Sequence, residues 1–213
     1  MRVACVAPGE SLTQATCDQL RGRCHVLAVN NAFQFCPWAD WLYASDGPWW
    51  DAYGDQVPTP LLLRSWTQDA AAARDWGINH VIVRRDAAGD HTGFPGLSTE
   101  PAVIHSGGNG GYAAVNLALQ FGATEILLVG YDLQGSHFFG EYPQPRLKRS
   151  ADNRARSFRQ WRERFATIRP ADYGLAIFNC TPGSALHAFP FRSLDDALSG
   201  LPQAPRSHEA RAA

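Results

Sequence analysis

One stretch constrains the fold of this chain more than any other. His105–Tyr112 carries glycine at 107, 108, 110 and 111; the helix-forming run Ala113–Phe121 follows, then Ile126–Asp132. Four glycines in five positions strip side chains from a turn, so its backbone N–H groups can approach a ligand closely. The turn opens onto a helix, whose N-terminal amides favour an anion. Ile126–Val129 is too apolar for anything but a buried strand, and it stops at Gly130 and Asp132. Turn, helix, and a strand ending in an acid together describe a nucleotide site.

The rest of the chain supplies more strand-to-loop junctions. Arg2–Ala7 reads as a first strand turning at Pro8–Ser11, and Ser11–Leu20 as a helix capped by Ser11 or Thr13. Val26–Val29 ends in Asn30 and Asn31, and Trp41–Ala44 closes on Ser45 and Asp46. Asp51–Tyr53 reads as a short helical turn. Leu61–Arg64 and Val81–Val83 read as further strands flanking an alanine-rich helix over Asp69–Trp76. Asp86–Ile104, rich in Gly, Thr, Ser and Pro, reads as an exposed loop. Leu133–Pro145 is a polar and aromatic loop carrying His137. Asp152–Arg169 is a basic helix with Phe158, Trp161 and Phe165 on one face, followed by a last strand at Ala176–Asn179 and a short helix at Leu194–Leu198.

Strands alternating with helices predict α/β architecture: a single Rossmann-like domain over residues 1–199, its mostly parallel sheet covered by helices on both faces. Residues 200–213, rich in Pro, Ala, Arg and Ser, are expected to form a flexible tail. The 213 residues suffice for one substantial core. A net charge of −1 predicts no global preference for nucleic acid or anionic membrane. Nine basic residues between Arg146 and Arg169 against Asp152 and Glu163 leave a nucleic-acid contact open there without favouring it. No apolar run is long enough for a membrane span. Five scattered cysteines without a CxxC pair suit a reduced, cytoplasmic protein and argue against a zinc site. The tryptophans near Trp49 are expected at the surface, as a partner or acceptor face; an oligomer is compatible with this reading.

In open parallel sheets, ligands bind beyond the carboxyl ends of the strands. That rule gathers Gly9, Ser11, Asn30 and Asn31 with Ser106, Gly107, Gly108, Asn109, Gly110 and Gly111 as nucleotide-binding candidates. Asp46 and Asp132 become rim carboxylates, able to hold a hydroxyl, orient a base or bind Mg²⁺. His137 is the candidate general base, because its reference pKa lies near neutrality. Tyr142, Arg154 and Arg159 are candidates for acceptor or phosphate contacts; His105 and His187 are weaker versions of His137. Pro8–Ser11 is neither a Walker A loop nor a dinucleotide fingerprint, which argues against P-loop ATPases and NAD enzymes.

Four segments together resemble a known group of Rossmann-like transferases. Val3–Leu12 is similar to the "strand, Gly-Pro-Ser-Leu" opening of bacterial CMP-sialic acid sialyltransferases, motility-accessory-factor glycosyltransferases and archaeal 6-hydroxymethylpterin diphosphokinases. Val29–Phe33 resembles the sialyltransferase strand whose terminal asparagine contacts the nucleotide. Ser106-Gly107 and Leu119–Asp132 resemble the Ser-Gly, helix and "Gly-x-x-Glu-Ile-x-Leu-x-Gly-x-Asp" block, and Asn179–Leu186 the late strand with its Ser-x-Leu turn. Short phage and prophage proteins have a similar look. The resemblance implies a glycosyltransferase with a nucleotide-sugar donor, a histidine base after the Gly-x-Asp strand and no required metal. The pterin kinases imply instead a pyrophosphokinase using ATP and Mg²⁺ on Asp132 and Asp46. A non-catalytic nucleotide-binding or phage accessory protein is the third reading.

Overall fold

A computed structural model describes residues 1–148 and 150–199. The tail read at 200–213 lies outside the described residues. Seven strands form one parallel sheet: β1 (Arg2–Val6), β2 (His25–Val29), β3 (Trp41–Tyr43), β4 (Ser65–Thr67), β5 (Asn79–His80), β8 (Glu125–Val129) and β9 (Ala176–Asn179). Their order is β5-β4-β3-β2-β1-β8-β9. From β1 the chain therefore steps outward to β5, then crosses back to lay β8 on the other side of β1. This is a Rossmann-like α/β arrangement, and its topological switch point lies between β1 and β8.

Side-chain alternation along the strands builds two cores. Ala4 and Val6 of β1, with Leu127 and Val129 of β8, face α1 (Gln14–Leu20), α2 (Gly47–Tyr53), α4 (Ala70–Trp76) and α7 (Leu194–Leu198). Val3 and Cys5, with Ile126 and Leu128, face α5 (Gly110–Gln120) and Phe165 at the end of α6 (Ala151–Phe165). The caps are local: Thr13 accepts from the Thr16 amide, Asp69 from Ala71 and Ala72, Asn109 from Tyr112 and Ser150 from Asn153.

Several segments differ from the expectations. Leu61–Arg64 is not a strand; α3 (Thr59–Leu62) ends within it and β4 begins only at Ser65. Pro60 in the first turn presets helical φ, and of the three leucines Leu61 is fully buried while Leu63 is 67% exposed. Val81–Val83 does not extend the main sheet: Ile82–Val83 (β6) leaves it to pair with Val103–Ile104 (β7). The 86–104 segment is exposed over most of its length, as expected, but is strapped down at residues 96–98 and Ile104, which are buried. Asn116, wholly buried in α5, holds it. Its Oδ1 accepts from the amides of Ser98 and His105, both at 2.8 Å, and its Nδ2 donates to Ser98 O at 2.9 Å.

The tryptophans are not a surface face either. Trp49 and Trp50 lie in the core, their indole N–H groups donating to Asn31 Oδ1 (2.7 Å) and Ala44 O (3.1 Å). Among the described residues, no helix is long and apolar enough to cross a membrane. All five cysteines are free thiols, and four of them are buried.

Candidate functional site

A cavity of about 540 Å³ opens at the carboxyl ends of β1, β2, β3 and β8, at the switch point. Each strand sends one loop into its wall: Pro8–Gly9 after β1, Asn30 after β2, Ser45–Asp46 after β3 and Gly130–Leu133 after β8. The turn before α5 closes the floor with Gly108, Asn109, Gly110 and Gly111. Parallel strands end on the same side of a sheet, which brings together segments more than 100 residues apart in sequence.

Gly9 is where the β1 and β8 loops meet. Its amide donates to Gly130 O at 3.1 Å, and the Phe138 amide donates to Pro8 O at 3.2 Å, so Gly9 pairs antiparallel with His137. A Cβ at position 9 would sit 2.0 Å from Asp132 Oδ2 and 2.3 Å from Gly130 O. Only glycine allows that approach. Asp132 is mostly buried, and burial raises its carboxyl pKa; the Ser11 hydroxyl (2.9 Å) and amide (3.3 Å) oppose the shift by bonding the charged form. Ser11 therefore serves Asp132 and does not line the cavity.

His137 lines the cavity with its ring stacked on Phe139 (centroids 4.9 Å apart, planes 7° apart) and edge-on to Tyr142. Its Nδ1 lies 3.2 Å from Gly140 O. A carbonyl can only accept, so this bond has Nδ1 as the donor.

The glycines of the 107–111 turn divide into two kinds. Gly107 is at φ +53° with the Tyr112 ring 2.6 Å from any added Cβ, and it does not line the cavity. Gly111 is required by Tyr131, whose ring would lie 2.8 Å from a Cβ. Gly108 and Gly110 are the bare backbone facing the cavity, with Thr92 and Val29 as nearest neighbours. Part of the glycine signal thus reflects close packing on tyrosines.

Other expected residues are placed differently. Asn31 is buried and takes no part in the cavity wall; its Oδ1 accepts from Trp49 Nε1 (2.7 Å) and Tyr142 Oη (3.2 Å). Tyr142 touches the cavity, but its hydroxyl is committed to Asn31 and burial pushes its pKa well up. Asn30 reaches the wall at φ +48°, a left-handed conformation that asparagine tolerates. Arg154 lines the cavity, paired with Glu141, whereas Arg159 is solvent-exposed on α6 and away from it. His105 bonds Gly96 O at 3.1 Å and stacks on Phe94, outside the cavity, and His187 lies outside it too.

Residues that sequence reasoning missed complete the wall. Gln68 comes from the loop after β4, His91 and Thr92 from the strap, and Arg146, Leu147 and Lys148 from the segment before α6. Phe158 and Trp161, expected as an apolar helix face, reach the cavity. His91 is held at the cavity by its bonds to Ser106, and no local pattern announces that.

Asp46 and Asp132 both line the cavity, on the loops after β3 and β8. Among the described residues, no three His, Cys, Asp or Glu side chains gather as a metal site. Comparison with protein-family models, with curated proteins and with solved structures returns no match.

Proposed function

We propose that this chain is a nucleotide-dependent transferase, a glycosyltransferase taking a CMP-sialic acid-like nucleotide sugar and using His137 as general base. The observation that carries the reading is the convergence on Gly9. An imidazole bonded through Nδ1 and a half-desolvated carboxylate lie on the one loop that meets Gly9, across one cavity from a side-chain-free turn. In this reading Gly108–Gly111, Asn30 and Gly9 hold the nucleotide. Asp132 and Asp46, on well-separated strands, orient the sugar and the acceptor at different points. His137 Nε2 takes the proton of the acceptor hydroxyl as that oxygen attacks the anomeric carbon. The bond to phosphate breaks with its electron pair on the phosphate oxygen, stabilised by the turn's amides and the cations beside α6. Free thiols throughout fit a reducing, cytoplasmic setting.

Thermal shift tests the proposal, because a ligand that binds only the folded state at a hundred times its Kd adds about 2.7 kcal/mol. CMP or UDP species are expected to raise Tm by several degrees without metal. Stabilisation by ATP only with Mg²⁺ would transfer the assignment to a pyrophosphokinase. No response to any nucleotide overturns both enzyme readings and leaves a binding protein.

A further inference from the structure

His91 is the one cavity imidazole, besides His137, among the described residues. It stands at the border of two hollows. On one side is the main cavity; on the other, a side hollow of about 400 Å³ shares Asp46, Gln68 and Arg146 with it and adds Arg85 and Asp69. The ring is anchored at one nitrogen only. Its Nδ1 lies 2.7 Å from Ser106 Oγ, and that hydroxyl donates to His91 O at 3.0 Å and accepts from the Gly108 amide at 3.2 Å. Ser106 is 3% exposed and lines the main cavity, with its hydroxyl bonded on three sides. The one hydrogen of the Ser106 hydroxyl goes to His91 O, so toward the ring it accepts from Nδ1–H. Ser106 thereby supports the cationic ring, in which Nε2 also carries a hydrogen.

The charges around that ring favour an anion. Arg85 and Arg146 line the side hollow and Lys148 the main cavity. Of the facing acids, Asp69 is taken up by the amides of Gly47, Ala71 and Ala72, and Glu141 by Arg154. Asp132 is held by Ser11 at the β8 end and Asp90 by the amide and hydroxyl of Thr92, while Asp46, which also has a partner, borders both hollows. We propose that His91 Nε2–H is a direct ligand of a phosphate-type anion lying over the glycine turn, and that Ser106 is the positioning residue that holds the ring for it. The inference rests on the nucleotide reading above for the identity of that anion: the phosphate of the donor rather than of an acceptor.

His91→Asn separates function from packing, because its amide can still meet Ser106 while the atom reaching the cavity is gone. Calorimetric titration of wild type and variant with CMP, UDP, cytidine and uridine, and NMR titration of the histidine side chains with inorganic pyrophosphate, decide the matter. A charge-assisted hydrogen bond predicts a roughly tenfold to hundredfold loss of nucleotide affinity with nucleoside affinity unchanged. Ser106→Ala should give a smaller loss in the same direction. If wild type binds nucleotides and His91→Asn binds them equally well, the assignment of His91 falls while the nucleotide reading stands. If wild type ignores nucleotides but pyrophosphate shifts the His91 resonances, His91 is an anion ligand and the nucleotide reading falls; an acceptor phosphate is then its partner. Neither response overturns both.

Discussion

Gly9 and Asp132 occupy one another's space: a methyl group on Gly9 would lie 2.0 Å from Asp132 Oδ2. Because the same glycine pairs with His137, a single bare Cα joins the β1 loop to the β8 loop, which carries both the site's acid and its imidazole. Gly9→Ala is expected to force those loops apart and cost about 1–3 kcal/mol, the usual range for overpacking. Urea denaturation reads the loss of stability. An unchanged midpoint would show that the Asp132 loop yields freely and that the contact sets no geometry.

Asp132 should make stability depend on pH with a definite sign. Burial raises its folded pKa above the unfolded value, so its contribution is fully present below the unfolded pKa and is lost as pH rises through the folded pKa. Asp132→Asn removes that loss. The variant is expected to melt above wild type at pH 7, with the difference vanishing as the pH falls into the range where wild-type Asp132 is protonated. A variant that melts lower at pH 7 would show that the Ser11 bonds outweigh burial.

His137→Gln addresses the base. The side chain is half-buried at the cavity wall, with Phe139 and Tyr142 as neighbours, so its loss should leave nucleotide affinity within a few-fold. Turnover should fall by about 10²–10⁴, the range for removing a positioned base. Sugar transfer from the donor that gives the largest thermal shift is the measurement; surviving turnover would place the base elsewhere.

Asn116→Ala should free the strap without touching the cavity wall. Three backbone groups lose their side-chain partner in a buried setting, at about 1–3 kcal/mol for each group left unsatisfied. Hydrogen exchange should accelerate between Gly96 and His105. Because His91 rides on the same strap, nucleotide affinity should fall in parallel, and an unaltered affinity would show that the strap and the site are uncoupled.

Arg154 and Arg159 look alike as basic residues of one helix. Only Arg154 lines the cavity. Arg154→Ala is expected to weaken nucleotide binding severalfold, while Arg159→Ala leaves both binding and Tm within error, as surface substitutions do. Equal effects from the two would relocate the phosphate contacts to the outer face of α6.

The sequence by itself determined the alternation of strands and helices, the parallel sheet, and the loops at which strands stop. Those follow from short-range physics: apolar runs such as Ile126–Val129 must be buried, Thr13, Asp69 and Asn109 cap the helices they precede, and parallel strands deliver their C-terminal loops to one edge. Gly9, Asn30, Asp46, Asp132 and His137 were legible on that basis. Tertiary structure alone decided which polar groups remain for a ligand. Asn31 and Asn30 are neighbours of one type, yet the indole of Trp49 and the phenol of Tyr142 claim Asn31 while Asn30 faces the cavity. Ser106 lines the cavity but bonds His91, and Gly107 answers a tyrosine ring rather than an anion. The Asp86–Ile104 segment is largely exposed, as its loop composition suggested, but Asn116 supplies the bonds that let Ser98 be buried, and Ser106 holds His91 at the cavity. Local sequence sets what a residue can bond. Contacts from distant segments set whether that capacity is already used.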